Sequence, residues 1–307
     1  MEALNPGIVY LQANGYGPDG PGAQRPSTHP IPGAAMGGVF YQMGERVPGE
    51  LQDIDSLRMW TRRLMHANEV NPDPNTALVV ATSTMLGLVA RQRTGQGQRI
   101  LVDMFGANAY ANHDDFLTYP GKPDRAMPDA ELLGLGATYR LYPCAGDQWV
   151  FLALTSERER RNFVDTLNGA GIDAPTTDLL AKGGEQASEA LCELFAGNDA
   201  THWESLLAGN GVGCVRADGV TPSEFWLRDP QSEALGLTSE VEHPRWGRYR
   251  RHGRLVQFDG KGQRLGPPPL AGQHNEEVLL ERGYDTGHIA SLVADGILWS
   301  EDDSPVG

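Results

Sequence analysis

The sequence predicts an α/β fold in two parts. A short β-type run, Ile8-Val9-Tyr10-Leu11, precedes a long helical stretch from Asp73 to Gly95, and a second β-type run, Arg99-Ile100-Leu101-Val102, follows it. Beyond Tyr119 the pattern changes to paired strand signals among several further helices. The chain has 307 residues, enough for one large domain or two ordinary ones.

The first run reads as a buried strand, because Pro6-Gly7 punctuates its start and a Gly/Pro-dense loop from Asn14 to Pro32 follows. Leu51, Ile54, Leu57, Leu64 and Met65 recur at roughly helical spacing between Glu50 and Ala67. The clearest helix starts at Asp73-Pro74, read as an N-cap with proline at the first helical position. Leu78, Met85, Leu86 and Val89 supply its apolar face. Arg91 and Arg93 lie in its last turn, and Gly95 suits the left-handed residue after a helix. A further helix is expected over Ala107–Leu117.

Tyr119–Pro128 carries three prolines and mixed charge, which marks a linker. Tyr139–Tyr142 and Trp149–Leu154 read as a strand pair across Cys144-Ala145-Gly146-Asp147. Helices are expected over Ser156–Asn168, Glu185–Phe195 and Thr201–Leu207, and a buried strand over Val212–Val215. Arg254–Phe258 alternates basic or polar residues with Leu255, Val256 and Phe258, a strand-type pattern. Pro267-Pro268-Pro269 breaks the chain before helical stretches at Asn275–Arg282 and Ile289–Ala294.

Composition narrows function. Asp and Glu number 40 against 25 Lys and Arg, a formal charge of −15. That balance argues against a nucleic-acid partner and against an anionic membrane surface. The weakly polar run Ala77–Ala90 is shorter than the roughly 18 residues a spanning helix needs. The start, Met1-Glu2-Ala3-Leu4-Asn5-Pro6, has no signal-peptide pattern. Three scattered cysteines make neither a disulfide framework nor a zinc site, so a cytoplasmic location and no metal are expected.

Several constellations carry competing readings. Gly15-Tyr16-Gly17-Pro18-Asp19-Gly20 matches G-x-G-x-x-G, but Pro18 and Pro21 prevent a helix from opening there, so a dinucleotide fingerprint is rejected. His113-Asp114-Asp115 reads as a solvated helix face rather than a metal site. Arg245, Arg248, Arg250, Arg251, Arg254, Lys261 and Arg264 form a local basic cluster. They suit ion pairing with Glu276, Glu277, Glu281, Glu301, Asp302 and Asp303, or a phosphorylated ligand. Asp73 reads first as a helix cap; a carboxylate held ionised at a helix N-terminus is also an available nucleophile. His29, in a Gly/Pro loop, reads as a surface histidine or as an acid–base group.

Together the motifs resemble those of class III CoA-transferases, the CaiB/BaiF family. Asn5-Pro6-Gly7-Ile8-Val9-Tyr10, Asn14-Gly15-Tyr16-Gly17, Gly20-Pro21 and Arg25-Pro26 are similar to its early "NPRLIY…GFG..GP…RP" stretch. Leu86-Gly87-Leu88-Val89-Ala90, Arg93-Thr94-Gly95-Gln96-Gly97-Gln98 and Val102-Asp103-Met104 resemble "GILAAL…RTGRGQ.V.VSM". Pro269-Leu270-Ala271-Gly272-Gln273-His274-Asn275-Glu276-Glu277-Val278-Leu279 resembles the closing "P.LGQHT.EVL" element.

The resemblance implies the CoA-transferase family III fold, with an incomplete Rossmann-like large domain (residues 1–118 and 263–307, its N-terminal part missing). A linker at 119–138 and a small α+β domain at 139–262 complete it. It implies a catalytic role for Asp73, by spacing from Thr94, and for His29, the partner used in the racemase branch. It places Asn14, Gly15, Tyr16 and Met104 at the CoA and acyl site, and Gly134 and Gly136 in a glycine loop over it. The implied activity is CoA transfer between an acyl-CoA and a carboxylic acid through an aspartyl-CoA intermediate. Alternatives are an α-methylacyl-CoA racemase-like reaction and a non-catalytic subunit of a heteromeric enzyme. Coenzyme A is then substrate, with no permanently bound cofactor. An interlocked homodimer, or a heteromer with a chain supplying the missing segment, is expected. The family's pattern differs here in the length of the Glu50–Ala67 helix and in Pro74 after Asp73.

Overall fold

The structure is a computed structural model and describes residues 3–28, 31–50, 53–66, 72–110, 112–259 and 265–301. The chain divides into two compact units, Met1–Ala217 and Asp218–Gly307.

In the first unit, β1 (Val9–Asn14) leads through a long loop to the short helices α1 (Ile31–Ala35) and α2 (Gly38–Met43). Then come α3 (Ile54–His66), α4 (Asp73–Thr94), β2 (Gln98–Asp103) and α5 (Met104–Ala109). β1 and β2 pair in parallel, Asn14 opposite Asp103, and α4 is the crossover between them. Parallel strands joined by a helix are what the strand–helix–strand pattern predicts.

The apolar face assigned to α4 is not the one it buries. Leu78, Met85 and Leu86 are 68%, 59% and 65% exposed. The helix lies against the strands on its opposite side, where Thr76 and Gly87 are buried. A Cβ at Gly87 would stand 2.8 Å from Ile100 Cδ1 and 2.9 Å from Val9 Cγ1, so the small residue permits the close approach. The helix is apolar on more than one side, so periodicity could not choose between faces. β1 is likewise only half-buried, with Tyr10 exposed.

Two helix boundaries differ from expectation. Asp73 is the first residue of α4, not its cap; Pro72 holds the cap position. Gly95 closes α4 at φ 74°, as its position predicts, and donates to the Arg91 carbonyl at 2.8 Å. The helix expected over Ala107–Leu117 starts earlier, because Asp103 caps α5 by accepting from the Gly106 N–H at 2.7 Å. It ends at Ala109, and a 3-10 turn at His113–Phe116 follows.

The main core of the first unit lies further along. β3 (Gly134–Gly136), β4 (Tyr139–Cys144) and β5 (Gln148–Ala153) precede α6 (Glu157–Gly169), α7 (Thr177–Lys182), α8 (Gly184–Ala196), α9 (Ala200–Ala208) and β6 (Gly213–Arg216). The four strands form an antiparallel sheet in the order β3-β4-β5-β6. Tyr142, Val150, Leu152, Phe163, Phe195 and Trp203 are almost wholly buried between sheet and helices. Burial on this scale, about 1.5–3 kcal/mol per large apolar side chain, makes this the best-anchored region. Trp203 also donates through Nε1 to the Phe195 carbonyl at 2.9 Å, which satisfies its polar edge.

The second unit contains α10 (Pro222–Arg228), α11 (Pro230–Leu235), the antiparallel pair β7 (Thr238–His243) and β8 (Gly247–His252), then α12 (Asn275–Glu281) and α13 (Thr286–Ala294). The alternation over Arg254–Phe258 forms no strand; Leu255, Val256 and Phe258 are exposed. The strands lie just upstream, in polar sequence that apolar patterning overlooks. Arg248 pairs there across the ladder with Glu240 at 3.4 Å. Arg245 pairs with Glu301, which bears out the ion-pairing reading of the basic cluster at that residue. Lys261, Arg264, Asp302 and Asp303 lie outside the described residues.

Candidate active site

The carboxyl ends of β1 and β2 converge where Asn14 faces Asp103. In parallel α/β sheets this edge is where ligands bind, since loops and helix N-termini gather there. Asn14 Oδ1 accepts from the Gly17 N–H at 2.7 Å and bends the chain just past β1. Gly15 is buried, and a Cβ on it would lie 1.8 Å from Ser27 Oγ. Tyr16 meets Phe105 edge-on, ring centroids 5.0 Å apart, while Arg25 lies 6.0 Å from its ring centre. Met104 opens α5, and Ser27 Oγ stands 3.8 Å from its sulfur. Asn14, Gly15, Tyr16 and Met104 therefore share one end of the β1–β2 pair.

The N-terminus of α4 is tied to the same end through α5. Asn108 Nδ2 donates to the Pro72 carbonyl at 3.1 Å, and Asn75 Nδ2 donates to Asn108 Oδ1 at 3.0 Å. Asp73, between them in sequence, is exposed. A cavity of about 420 Å³ opens at its sequence neighbours Pro72 and Asn75, which line the wall with Asn108 and Asn112, while Asp73 itself is not part of the described lining. Sequence reasoning missed these three asparagines. Their signal was faint: Asn75 sits two positions after Asp73, and Asn108 and Asn112 are four apart, one helical turn.

Gly134 and Gly136 are placed in β3, paired with Arg140 and Tyr139 at the edge of the antiparallel sheet. His29 lies outside the described residues. His113, Asp114 and Asp115 are exposed on the 3-10 turn, and the described residues hold no group of three or more His, Cys, Asp or Glu placed to bind a metal. The Gly-Gln-His element closes a turn: Gln273 Oε1 accepts from the Leu270 N–H at 2.8 Å. Among the described residues no helix is long and apolar enough to cross a membrane.

A parallel strand–helix–strand unit, with a carboxylate on the first turn of the crossover helix and a Gly-rich turn after β1, defines a mixed α/β protein. The sequence model of CoA-transferase family III matches residues 1–275, and the chain belongs to that family. It is 26% identical to an acyl-CoA transferase of Fusarium pseudograminearum over 97% of this chain and 63% of that protein. It is 24% identical to succinyl-CoA:glutarate CoA-transferase of Mus musculus over 97% of this chain and 65% of that protein. It thus spans somewhat less than two thirds of these relatives' length. The crystal structure of a CAIB/BAIF family protein from Brucella suis has the same fold, with a TM-score of 0.60 at 21% identity, covering 91% of this chain and 69% of that one.

Proposed function

We propose that the chain works as a CoA-transferase with Asp73 as its nucleophile. One observation carries this reading: Asp73 stands exposed on the first turn of α4, between the cavity-lining Pro72 and Asn75, at the position where the family's motif spacing sets its aspartate. An Asp73 carboxylate oxygen attacks the thioester carbonyl, the C–S bond breaks, and CoA leaves as a thiolate, giving an acyl-aspartyl anhydride. The thiolate then attacks the aspartyl carbonyl and expels the first carboxylate, leaving an aspartyl-CoA thioester. An acceptor carboxylate attacks that thioester, and the released thiolate attacks the acyl carbonyl of the second anhydride. New acyl-CoA forms and Asp73 is regenerated. Covalent catalysis of this kind divides one difficult exchange into easier steps. In this reading Asn14, Gly15, Tyr16 and Met104 line the thioester end.

The exposed row of Leu78, Met85 and Leu86 on α4 supports an assembled enzyme in which a second chain covers this face, since monomers rarely expose such contiguous apolar surface. The test of the chemistry is intact mass after quenching with acyl-CoA. A CoA adduct on the wild type that disappears in Asp73→Asn is expected. Bound acyl-CoA without an adduct would remove the proposal.

A further inference from the structure

The cavity at Pro72 and Asn75 has a particular polar inventory. Both amide N–H donors of Asn108 are held within the protein. Its Nδ2 donates to the Pro72 and Met104 carbonyls at 3.1 and 2.8 Å, and its Oδ1 accepts from Asn75. Asn112 Nδ2 donates to the Asn108 carbonyl at 2.9 Å. An amide has two N–H donors and an oxygen with two lone pairs. One N–H each of Asn75 and Asn112 is therefore held, and each amide keeps its other N–H and its oxygen for a ligand.

The charged group of the lining is Asp115. Its carboxylate accepts from Arg125 at 2.7 Å and from the Tyr41 hydroxyl at 3.3 Å. The Arg125 guanidinium lies 4.1 Å from the centre of the Tyr41 ring, so its charge is engaged on two sides. Among the described residues the lining contains no lysine, arginine or histidine. A ligand carboxylate entering here would lose water and find, among the described residues, no cation beyond Arg125, whose charge Asp115 already holds, and this disfavours it. A hydroxyl or carboxamide both donates and accepts, which matches the two free amide edges.

We infer that this cavity is an acyl-group pocket selective for an uncharged hydroxyl- or carboxamide-bearing acyl chain over one ending in a carboxylate. The inference rests on the placement of the thioester at Asp73 proposed above. Its size is in the range of small-molecule sites.

The test compares two thioesters of N-acetylcysteamine, which carry the acyl group without the nucleotide: 4-hydroxybutyryl and succinyl, alike in chain length. Calorimetry on the wild-type chain should give at least about tenfold tighter binding of the hydroxyacyl compound, near 1.4 kcal/mol. Asn112→Leu should erase that preference. Asp115→Asn acts in the opposite sense: it releases the Arg125 guanidinium beside the cavity, so succinyl binding should strengthen. Equal binding, a preference for succinyl, or no binding of either compound by the wild type overturns the inference. CoA transfer is measured separately through the Asp73 adduct, so the covalent mechanism can fail while the binding ratio stands, and the reverse.

Discussion

Asn108 on α5 holds the Pro72 carbonyl at 3.1 Å and thereby fixes the start of α4 against the carboxyl end of β2. Pro72 also accepts from the Thr76 N–H at 3.3 Å and the Thr76 hydroxyl at 2.9 Å, so its carbonyl is the knot of the helix entry. Asn108 is 4% exposed, which leaves no water to replace it. Asn108→Leu should cost about 1–3 kcal/mol, the range for stranding buried polar groups. Urea denaturation reads the stability loss. Adduct formation on Asp73 should fall as well in the folded fraction, because the carboxylate's helix is no longer anchored; unchanged adduct yield would make Asn108 purely structural.

Gly15 and Ser27 are packed too closely to admit another atom. The Cβ of Gly15→Ala would fall 2.2 Å from Ser27 Cβ, and neither belongs to a flexible chain end. Overpacking of this kind costs about 1–3 kcal/mol. The double variant Gly15→Ala/Ser27→Gly should recover much of the loss, since it removes both clashing side-chain atoms of Ser27. A thermal melt of the four members of this cycle measures the coupling; simple additivity would mean that the strain lies elsewhere.

Sequence was informative where local chemistry decides structure. The helix expected over Ser156–Asn168 is α6, Gly95 announced the end of α4, and the apolar runs at Tyr139 and Trp149 announced β4 and β5. It failed where tertiary contact decides. The buried side of α4 is chosen by Gly87 against Ile100 and Val9, a fit that no periodicity reports. β7 and β8 carry few apolar residues and are held by their ladder and by Arg248 with Glu240, so they have no hydrophobic signature. The candidate site shows the same division. The roles proposed for Asp73, Asn14, Gly15, Tyr16 and Met104 come from motifs. The Asn75–Asn108–Asn112 set exists only once α4 and α5 meet.

The capping box of α6 gives an acid-sensitive term. Glu159 accepts from the Ser156 N–H at 2.8 Å and the Thr155 hydroxyl at 2.9 Å, and these donors hold its carboxyl below the ordinary value of 4.5. A depressed folded value means that the stabilisation is present above 4.5 and is lost as pH falls through the lower folded value. Glu159→Gln should therefore flatten the acid limb of a melting-temperature profile while leaving its alkaline limb alone. Ser156→Ala, which removes the reciprocal bond, should cost about 1 kcal/mol near neutrality. An acid limb unchanged by Glu159→Gln would exclude this carboxyl as a contributor.

The three cysteines should separate by burial. Cys214 is 1% exposed, and burial pushes its thiol from 9.0 up to about 12, whereas Cys192 is only partly covered. Alkylation proceeds through the thiolate, so iodoacetamide at mildly alkaline pH should label Cys192 in the native protein and all three residues after denaturation. Linkage gives a second readout. The unfolded chain releases the Cys214 proton from 9.0 upward while the folded chain keeps it to about 12, so stability is intact below 9.0 and declines between those values. Tyr142, raised by burial from 10.0 to about 12, adds a decline that starts later. Cys214→Ala should remove the earlier part, so that the fall in melting temperature begins near 10 rather than 9, at the price of a small cavity beneath β5. A wild-type profile flat across that window would mean that the thiol is solvated, and native labelling of Cys214 would say the same by an independent route.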